Sequence, residues 1–150
     1  GVIVNTSSAS GLIGNFGQAN YGAAKGGVWG FSNVLTIEGR KAGIRVWTLA
    51  PAAVTPLMTL ITDQKLRDEM KPEHVAEALL YMVSPLSGDI TGRTLYASGQ
   101  RIMELRLTAA RGIKGAGRSP GLTAQDIAKN KDKIFSSEPA LSFADLGVEV

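Results

Sequence analysis

The chain has 150 residues, of which 44% are hydrophobic and 19% charged, so its composition suits one modest domain with a packed core and excludes a largely disordered chain. It contains no cysteine and one histidine, His74, which excludes disulfides and a zinc site built from these residues, and we expect no metal. The net charge of +3 is too small to indicate nucleic acid, and no apolar run approaches the roughly 18 residues that cross a bilayer, so we expect neither nucleic acid nor membrane as a partner.

The first predicted elements are a strand and a long helix. Residues 1–6 form a short apolar, β-branched run that predicts a buried strand of a parallel sheet, and a small-residue loop follows it. From about residue 20 to residue 40 the pattern becomes helical. Its apolar stripe consists of Ala24, Val28, Phe31 and Leu35.

Two more strands and another helix continue the pattern. Residues 44–50 predict a second buried strand that ends at Pro51. Pro72 predicts the start of a helix, because proline suits the first helical turn, and residues 94–97 predict a third strand. The order strand, helix, strand, helix, strand favours an α/β fold, with a parallel sheet covered by helices on both faces.

The character of the chain changes after Gly99. Residues 101–133 hold eight Lys or Arg and three Asp or Glu, and residues 112–121 predict a glycine-rich loop. Thr123 to Asp126 resembles a capping box, which predicts a short helix that reaches about Ile134. We therefore predict a domain over residues 1–100 and a basic, irregular or helical extension over residues 101–150.

The candidate catalytic residues are Ser8, Tyr21 and Lys25. Tyr21 and Lys25 lie four residues apart at the start of a predicted helix and share one face of it, while Ser8 follows the first strand. Ligands of open α/β sheets bind outside the carboxyl ends of the strands, where these side chains converge. A ketone that accepts a hydride also needs a proton on its oxygen. A tyrosine hydroxyl supplies it, a neighbouring ammonium stabilises the phenolate, and a serine hydroxyl holds the oxygen in place.

The spacing Tyr-x-x-x-Lys is a weak signal alone, since a boundary tyrosine and a solvated lysine also produce it. Its surroundings are more specific. Ser8-Ala9-Ser10-Gly11, followed by Gly17 to Lys25, resembles the active-site segment of short-chain dehydrogenases/reductases, and the similarity covers residues 1 to about 100. The resemblance implies the C-terminal part of a Rossmann-like doubly wound sheet. It also implies an enzyme that moves a hydride between NAD or NADP and a small-molecule alcohol or ketone.

The same resemblance assigns roles to individual positions. Ser8 orients the substrate, Tyr21 is the acid–base group, and Lys25 also holds the nicotinamide ribose. The positions that match the cofactor site are Tyr21, Lys25, Pro51, Ala52, Val54 and Thr55. This chain departs from the family at Ala52, where glycine is usual, and at Pro56.

The glycine-rich turn that binds the dinucleotide pyrophosphate does not occur here, because no Gly-x-Gly-x-x-Gly follows a strand. The resemblance therefore implies that this chain is the C-terminal half of the domain and lacks the nucleotide-binding half. We expect the isolated chain to be inactive, and its first strand to have an open edge.

A narrower resemblance concerns the substrate. Residues 50–55 with Met58 and Thr59, and the tail from Leu122 to Ile127, resemble the hydroxyacyl-CoA dehydrogenase branch that includes peroxisomal multifunctional enzymes. This branch implies a 3-hydroxyacyl-CoA substrate. One alternative is a 3-oxoacyl-carrier-protein reductase, although its usual C-terminus is shorter. Another is a non-catalytic dimerisation fragment, which the absent glycine turn favours.

Two expectations concern the setting of the chain. No signal peptide opens it and no peroxisomal Ser-Lys-Leu address closes it, so we expect a cytoplasmic protein. By the family resemblance, we expect the full-length protein to be a homo-oligomer.

Overall fold

A computed structural model describes residues 1–55, 64–99, 101–115 and 121–135 of the chain. They belong to two compact units, which divide between Arg106 and Leu107. The assignment of a domain to residues 1–100 and of an extension to residues 101–150 stays a prediction. No helix of the described residues is long and apolar enough to cross a membrane.

The first unit contains one four-stranded sheet in the order β1-β2-β3-β4. Its strands are β1 (Val2–Thr6), β2 (Arg45–Ala52), β3 (Arg93–Ser98) and β4 (Arg101–Leu105). β1 pairs with β2 and β2 with β3 in parallel, which confirms the three predicted strands. β4 was not predicted; it pairs antiparallel with β3, and the Arg93–Glu104 ion pair of 2.8 Å links the two strands. β1 is an edge strand, with no further strand beside it in the described residues.

Six α-helices occur in the described residues. Four belong to the first unit and the last two to the second: α1 (Ala9–Leu12), α2 (Ala19–Gly39), α3 (Gln64–Glu69), α4 (Pro72–Val83), α5 (Ala124–Lys129) and α6 (Lys131–Ile134). α2 and α4 match the two predicted helices of the α/β pattern. Both pack on the sheet, on opposite faces, as the alternation of strands and helices predicts.

The α4 face holds the more apolar part of the core. Ala78 and Met82 of α4 pack against Trp47 and Leu49 of β2 and Ala97 of β3, and all five are buried. Trp47 and Leu49 are two residues apart, so their side chains project to the same side of the strand. Hydrophobic burial therefore fixes α4 against the middle of the sheet.

The α2 face corrects one prediction. Phe31, a member of the predicted apolar stripe, is 57% exposed, whereas Ser32 and Thr36 are 2% and 8% exposed. Ser32 bonds to the side chain of Asn5 at 3.0 Å, and the hydroxyl of Thr36 donates to the Ser32 carbonyl at 2.9 Å. Small hydroxyl residues satisfied by such bonds let the helix lie close to the sheet. Phe31, Val34 and Ile37 are exposed, whereas Trp29 reaches the sheet and donates to the Thr94 hydroxyl at 3.1 Å.

The predicted capping box is confirmed in the second unit. The Thr123 hydroxyl accepts from the Asp126 backbone N–H, and the Asp126 carboxylate accepts from the Thr123 backbone N–H at 2.9 Å. The hydrogen bonds donated by the side chain and backbone of Thr123 lower the pKa of Asp126 from its usual 3.8. The helix ends at Lys129, and Asn130 separates it from α6, so the predicted single helix to Ile134 is two short helices.

Candidate active site at the carboxyl end of β1

Ser8 lies where β1 ends and α1 begins. The Ser7 backbone N–H still donates to the Leu49 carbonyl of β2 at 2.8 Å. Ser8 then adopts an extended backbone, and its hydroxyl oxygen accepts from the Ser10 backbone N–H at 3.2 Å, so Ser8 is the N-cap of α1. Its side chain is held at the carboxyl edge of the sheet, and the residue is 8% exposed.

Tyr21 and Lys25 lie in the first two turns of α2. The Lys25 ammonium is 5.9 Å from the centroid of the Tyr21 ring and donates to the Thr6 carbonyl, at the end of β1, at 2.9 Å. The Ser7 hydroxyl donates to the Lys25 carbonyl at 2.7 Å and ties α2 to the same strand end. Tyr21 is 43% exposed. The structure thus places a phenol beside an ammonium, and the ammonium contacts Thr6, which lies two residues before Ser8 in the chain.

Close backbone packing brings the two helices of the site together. A Cβ atom at Gly11 of α1 would lie 2.5 Å from the Gly26 nitrogen and 2.6 Å from the Lys25 carbonyl carbon. A Cβ at Gly22 would lie 3.1 Å from the Ser10 carbonyl oxygen, and one at Gly26 would lie 3.0 Å from the Gly11 oxygen. Only glycine permits such an approach without displacement. The glycines near the candidate catalytic residues therefore set the distance between α1 and α2.

One contact in the site was missed by the sequence analysis. The Ser10 hydroxyl donates to the Gln18 amide oxygen at 2.7 Å, and Ser10 is 5% exposed. The Gln18 carbonyl in turn accepts from the Gly22 backbone N–H at 2.7 Å, in the first turn of α2. Ser10 and Gln18 both lie in the segments that resemble the family's active site, but the sequence analysis assigned a role to neither of them.

The predicted cofactor positions lie at the neighbouring strand end. Pro51 and Ala52 are the last residues of β2, paired with Ala97 and Ser98 of β3. The chain then leaves the sheet, and the Val54 backbone N–H donates to the Met70 carbonyl at 2.8 Å. Val54 and Thr55 are half-buried. The predicted features at Pro56, Met58 and Thr59 lie outside the described residues.

His74, in the first turn of α4, is half-buried. It lines an open groove of about 570 Å³ on the α4 side of the sheet, between α4 and the β3–β4 pair. The groove's other lining residues are Glu77, Ala78, Tyr81, Leu95, Gly99 and Ile102. None of the three candidate catalytic residues lines it.

Comparison with known proteins shows which family the chain with these candidate residues belongs to. The sequence profile described as short chain dehydrogenase matches residues 1–67, which include Ser8, Tyr21 and Lys25. The chain belongs to the short-chain dehydrogenase/reductase family. The match covers both helices of the candidate site and the strand on each side of α2.

Relatives within the family cover much of the chain. Peroxisomal multifunctional enzyme type 2 of Mus musculus is 38% identical over 134 residues, which is 89% of this chain and 18% of that protein. Acetoacetyl-CoA reductase of Allochromatium vinosum is 36% identical over 113 residues, 69% of this chain and 46% of that protein. A short chain dehydrogenase from Mycobacterium avium superimposes with a TM-score of 0.70 at 28% identity, over 89% of this chain and 44% of that one. The chain thus spans less than half the length of each of these proteins.

Proposed function

We propose that the full-length gene product containing this chain is an NAD(P)-dependent oxidoreductase that interconverts a secondary alcohol and a ketone. The observation that carries the proposal is the placement of Tyr21 and Lys25 side by side at the carboxyl end of β1, the strand that ends next to Ser8. Family membership supports the same chemistry. The edge of the sheet formed by carboxyl ends of parallel strands is where α/β enzymes bind their ligands.

Each side chain has a distinct part in the reaction. In the reduction of a ketone, the Tyr21 hydroxyl transfers its proton to the substrate oxygen as that oxygen gains negative charge. The Lys25 ammonium stabilises the phenolate that remains. The Ser8 hydroxyl donates a hydrogen bond to the same substrate oxygen and orients it. In the oxidation direction, the Tyr21 phenolate removes the alcohol proton.

The residues present fit the nicotinamide–ribose end of the cofactor. Tyr21 is exposed beside an ammonium that already bonds a carbonyl oxygen, so both groups have hydrogen-bonding capacity for ribose hydroxyls. Pro51, Ala52, Val54 and Thr55 would border the nicotinamide carboxamide from the end of β2. When bound, NAD(P) supplies or accepts the hydride. The choice between NAD and NADP is left open by these residues.

The substrate we propose is a 3-hydroxyacyl-CoA or the corresponding 3-oxoacyl-CoA. The similarity to a reductase named for acetoacetyl-CoA and to a peroxisomal multifunctional enzyme supports a thioester with a 3-oxo group. A direct comparison of acetoacetyl-CoA with an acetoacetyl-carrier-protein tests the choice. A kcat/KM at least about tenfold higher for the CoA ester supports the proposal, and a preference of that size for the carrier protein refutes it.

The catalytic assignment is tested by substitution in the gene product, with NADH or NADPH oxidation as the assay. Tyr21→Phe keeps the ring but removes the transferable proton, so turnover falls by about a hundredfold or more while cofactor binding persists. Lys25→Ala lowers both turnover and cofactor affinity, since the ammonium serves both. Ser8→Ala mainly impairs productive placement of the substrate. Near wild-type turnover of Tyr21→Phe contradicts the mechanism.

A non-catalytic dimerisation fragment is the competing class of function, since the chain has no glycine-rich pyrophosphate turn. The Tyr21→Phe experiment separates the two classes, because a scaffold has no turnover to lose. We also propose that the gene product is a homo-oligomer, which sedimentation equilibrium tests. Phe31, Val34 and Ile37 support this proposal, because they form an exposed apolar stripe on α2.

We propose the cytoplasm as its location. The relatives named as peroxisomal make the peroxisome the competing compartment. Imaging of the tagged gene product together with a peroxisomal marker decides between them.

A further inference from the structure

We propose that Gln18 is a positioning residue that acts through Ser10 to direct the hydroxyl of Ser8 toward the substrate. This inference rests on the proposed function and adds to it a residue that does not touch the reacting atoms. It begins from the Ser10–Gln18 hydrogen bond, in which the Ser10 hydroxyl donates to the Gln18 amide oxygen at 2.7 Å.

The direction of the Ser8 hydroxyl follows from its bonding. A serine hydroxyl has one proton to donate and two lone pairs that accept. The Ser8 oxygen accepts from the Ser10 backbone N–H at 3.2 Å, and within the described part of the chain no residue accepts the Ser8 proton. One lone pair is therefore occupied on the protein side, and the proton is left for a ligand at the carboxyl edge of the sheet.

Ser10 is held in place from its other end. Its side chain is almost fully buried, and the described residue that accepts its proton is Gln18. A buried hydroxyl that loses its acceptor destabilises the fold, because no hydrogen bond then offsets the free energy of removing it from water. The Ser10 backbone N–H that orients Ser8 is thus anchored by the side chain of Gln18.

Gln18 also connects to the helix that carries the acid–base group. Its backbone carbonyl accepts from the Gly22 N–H at 2.7 Å, one residue beyond Tyr21. The segment between Ser10 and Gln18 contains Gly14 and Gly17 at φ angles of 82° and 77°. Glycine adopts positive and negative φ about equally readily, so these two residues do not by themselves fix the conformation of the loop. A single residue therefore bonds to the segment of Ser8 with its side chain and to the segment of Tyr21 with its backbone.

The test uses two nearly isosteric substitutions in the full-length gene product, with acetoacetyl-CoA as substrate. Gln18→Met removes the acceptor, and Gln18→Glu keeps an oxygen that accepts from Ser10. We expect Gln18→Met to lower kcat about tenfold or more, because small displacements of a reacting group reduce rates steeply, with KM changed less than about threefold. Gln18→Glu should restore kcat to within about threefold of wild type. Gln125→Met, the same change at an exposed position of α5, is the matched control.

A double-mutant cycle separates positioning from general destabilisation. If Gln18 acts through Ser8, Gln18→Met lowers kcat by less than about twofold in a Ser8→Ala background. An equal loss in both backgrounds overturns the inference, as does full activity of Gln18→Met or failure of Gln18→Glu to restore it.

Hydrogen exchange of the Ser10 amide gives a readout that is independent of activity. We expect this amide, which donates to Ser8, to exchange faster in Gln18→Met and to be unchanged in Gln125→Met. Unchanged exchange in Gln18→Met overturns the inference even if the gene product has no dehydrogenase activity. Absence of that activity, with faster exchange in Gln18→Met, refutes the proposed function and leaves the positioning contact in place.

Discussion

Substitution of Gly11 by alanine tests whether backbone contact between α1 and α2 sets the geometry of the site. The added Cβ would lie 2.5 Å from the Gly26 nitrogen, 2.6 Å from the Lys25 carbonyl carbon and 2.9 Å from the Lys25 Cβ. The optimal separation of non-bonded carbon atoms is about 3.5 Å or more, so α1 must move away from α2 by about 1 Å. Two of the three opposing atoms are backbone atoms of a long helix, which cannot rotate aside.

The expected change in the free energy of unfolding for Gly11→Ala is the sum of two opposing contributions. Forcing extra atoms into a packed contact costs about 1–3 kcal/mol. Because Gly11 does not have a positive φ, alanine is compatible with its backbone and recovers about 0.4–1 kcal/mol of unfolded-state entropy. We therefore expect Gly11→Ala to lower the free energy of unfolding by about 1–2 kcal/mol.

Gly27→Ala is the matched control. It adds the same methyl group to α2, but apart from the neighbouring backbone of α2 itself no described atom lies within 4 Å of the new Cβ. Alanine is favoured over glycine inside a helix by up to about 1 kcal/mol, so this variant should be as stable as wild type or more stable. Gly26→Ala, whose Cβ would lie 3.0 Å from the Gly11 oxygen, should fall between the two.

Urea unfolding of the three variants of the gene product measures the stabilities, and NADH oxidation measures turnover. A displacement of about 1 Å between Ser8 and Tyr21 should reduce kcat by about a hundredfold, beyond what any unfolded fraction explains. If Gly11→Ala and Gly27→Ala have the same stability and turnover, close approach of α1 to α2 does not set the site, and the reasoning is wrong.

Two further predictions concern the cofactor and the second unit. The 150-residue chain alone should show no micromolar binding of NADH by calorimetry, because it lacks a pyrophosphate turn; micromolar binding would place that site within this chain. Since hydrogen bonds from Thr123 lower the pKa of Asp126 below 3.8, the capping box should stabilise α5 fully above that pH and lose its contribution as the pH falls through the lowered pKa. The Thr123 amide shift, followed by NMR against pH, should change below 3.8 in wild type and not at all in Asp126→Asn; a midpoint at or above 3.8 contradicts the assignment.

The parallel strands and their helices were predictable because each has a strong local signal. The β-branched run before Ser8 and the proline at the start of α4 are typical of the elements that form there. β4 was missed although Met103 and Leu105 turn toward the Tyr96 side of the sheet and alternate with Ile102 and Glu104, which are exposed on the other side. Its five residues are too few for periodicity to separate a strand from a basic tail.

The apolar stripe predicted for α2 was wrong in part, because Val28 and Leu35 are half-buried whereas Ala24 and Phe31 are exposed. Hydrophobicity normally marks the face of a helix that packs on a sheet, but here that face carries Ser32 and Thr36, each satisfied by a hydrogen bond. Phe31 and Ile37 are left exposed, at 57% and 73%. Hydrophobicity alone does not indicate which face of α2 meets the sheet. The hydrogen bond between Asn5 and Ser32 in the structure shows it.

Some residues of the candidate site were likewise predictable from sequence, and others were not. Tyr21 and Lys25 were predicted as candidates from sequence because proton transfer to a ketone requires particular side chains at a fixed helical spacing. Gln18 was not, because its proposed role depends on a loop that returns to Ser10, and any acceptor of suitable length at that point would do. Groups that perform chemistry are constrained in identity, whereas groups that hold them are constrained in position. Sequence reasoning therefore identifies the first kind, and only coordinates that locate the Ser10 hydroxyl identify the second.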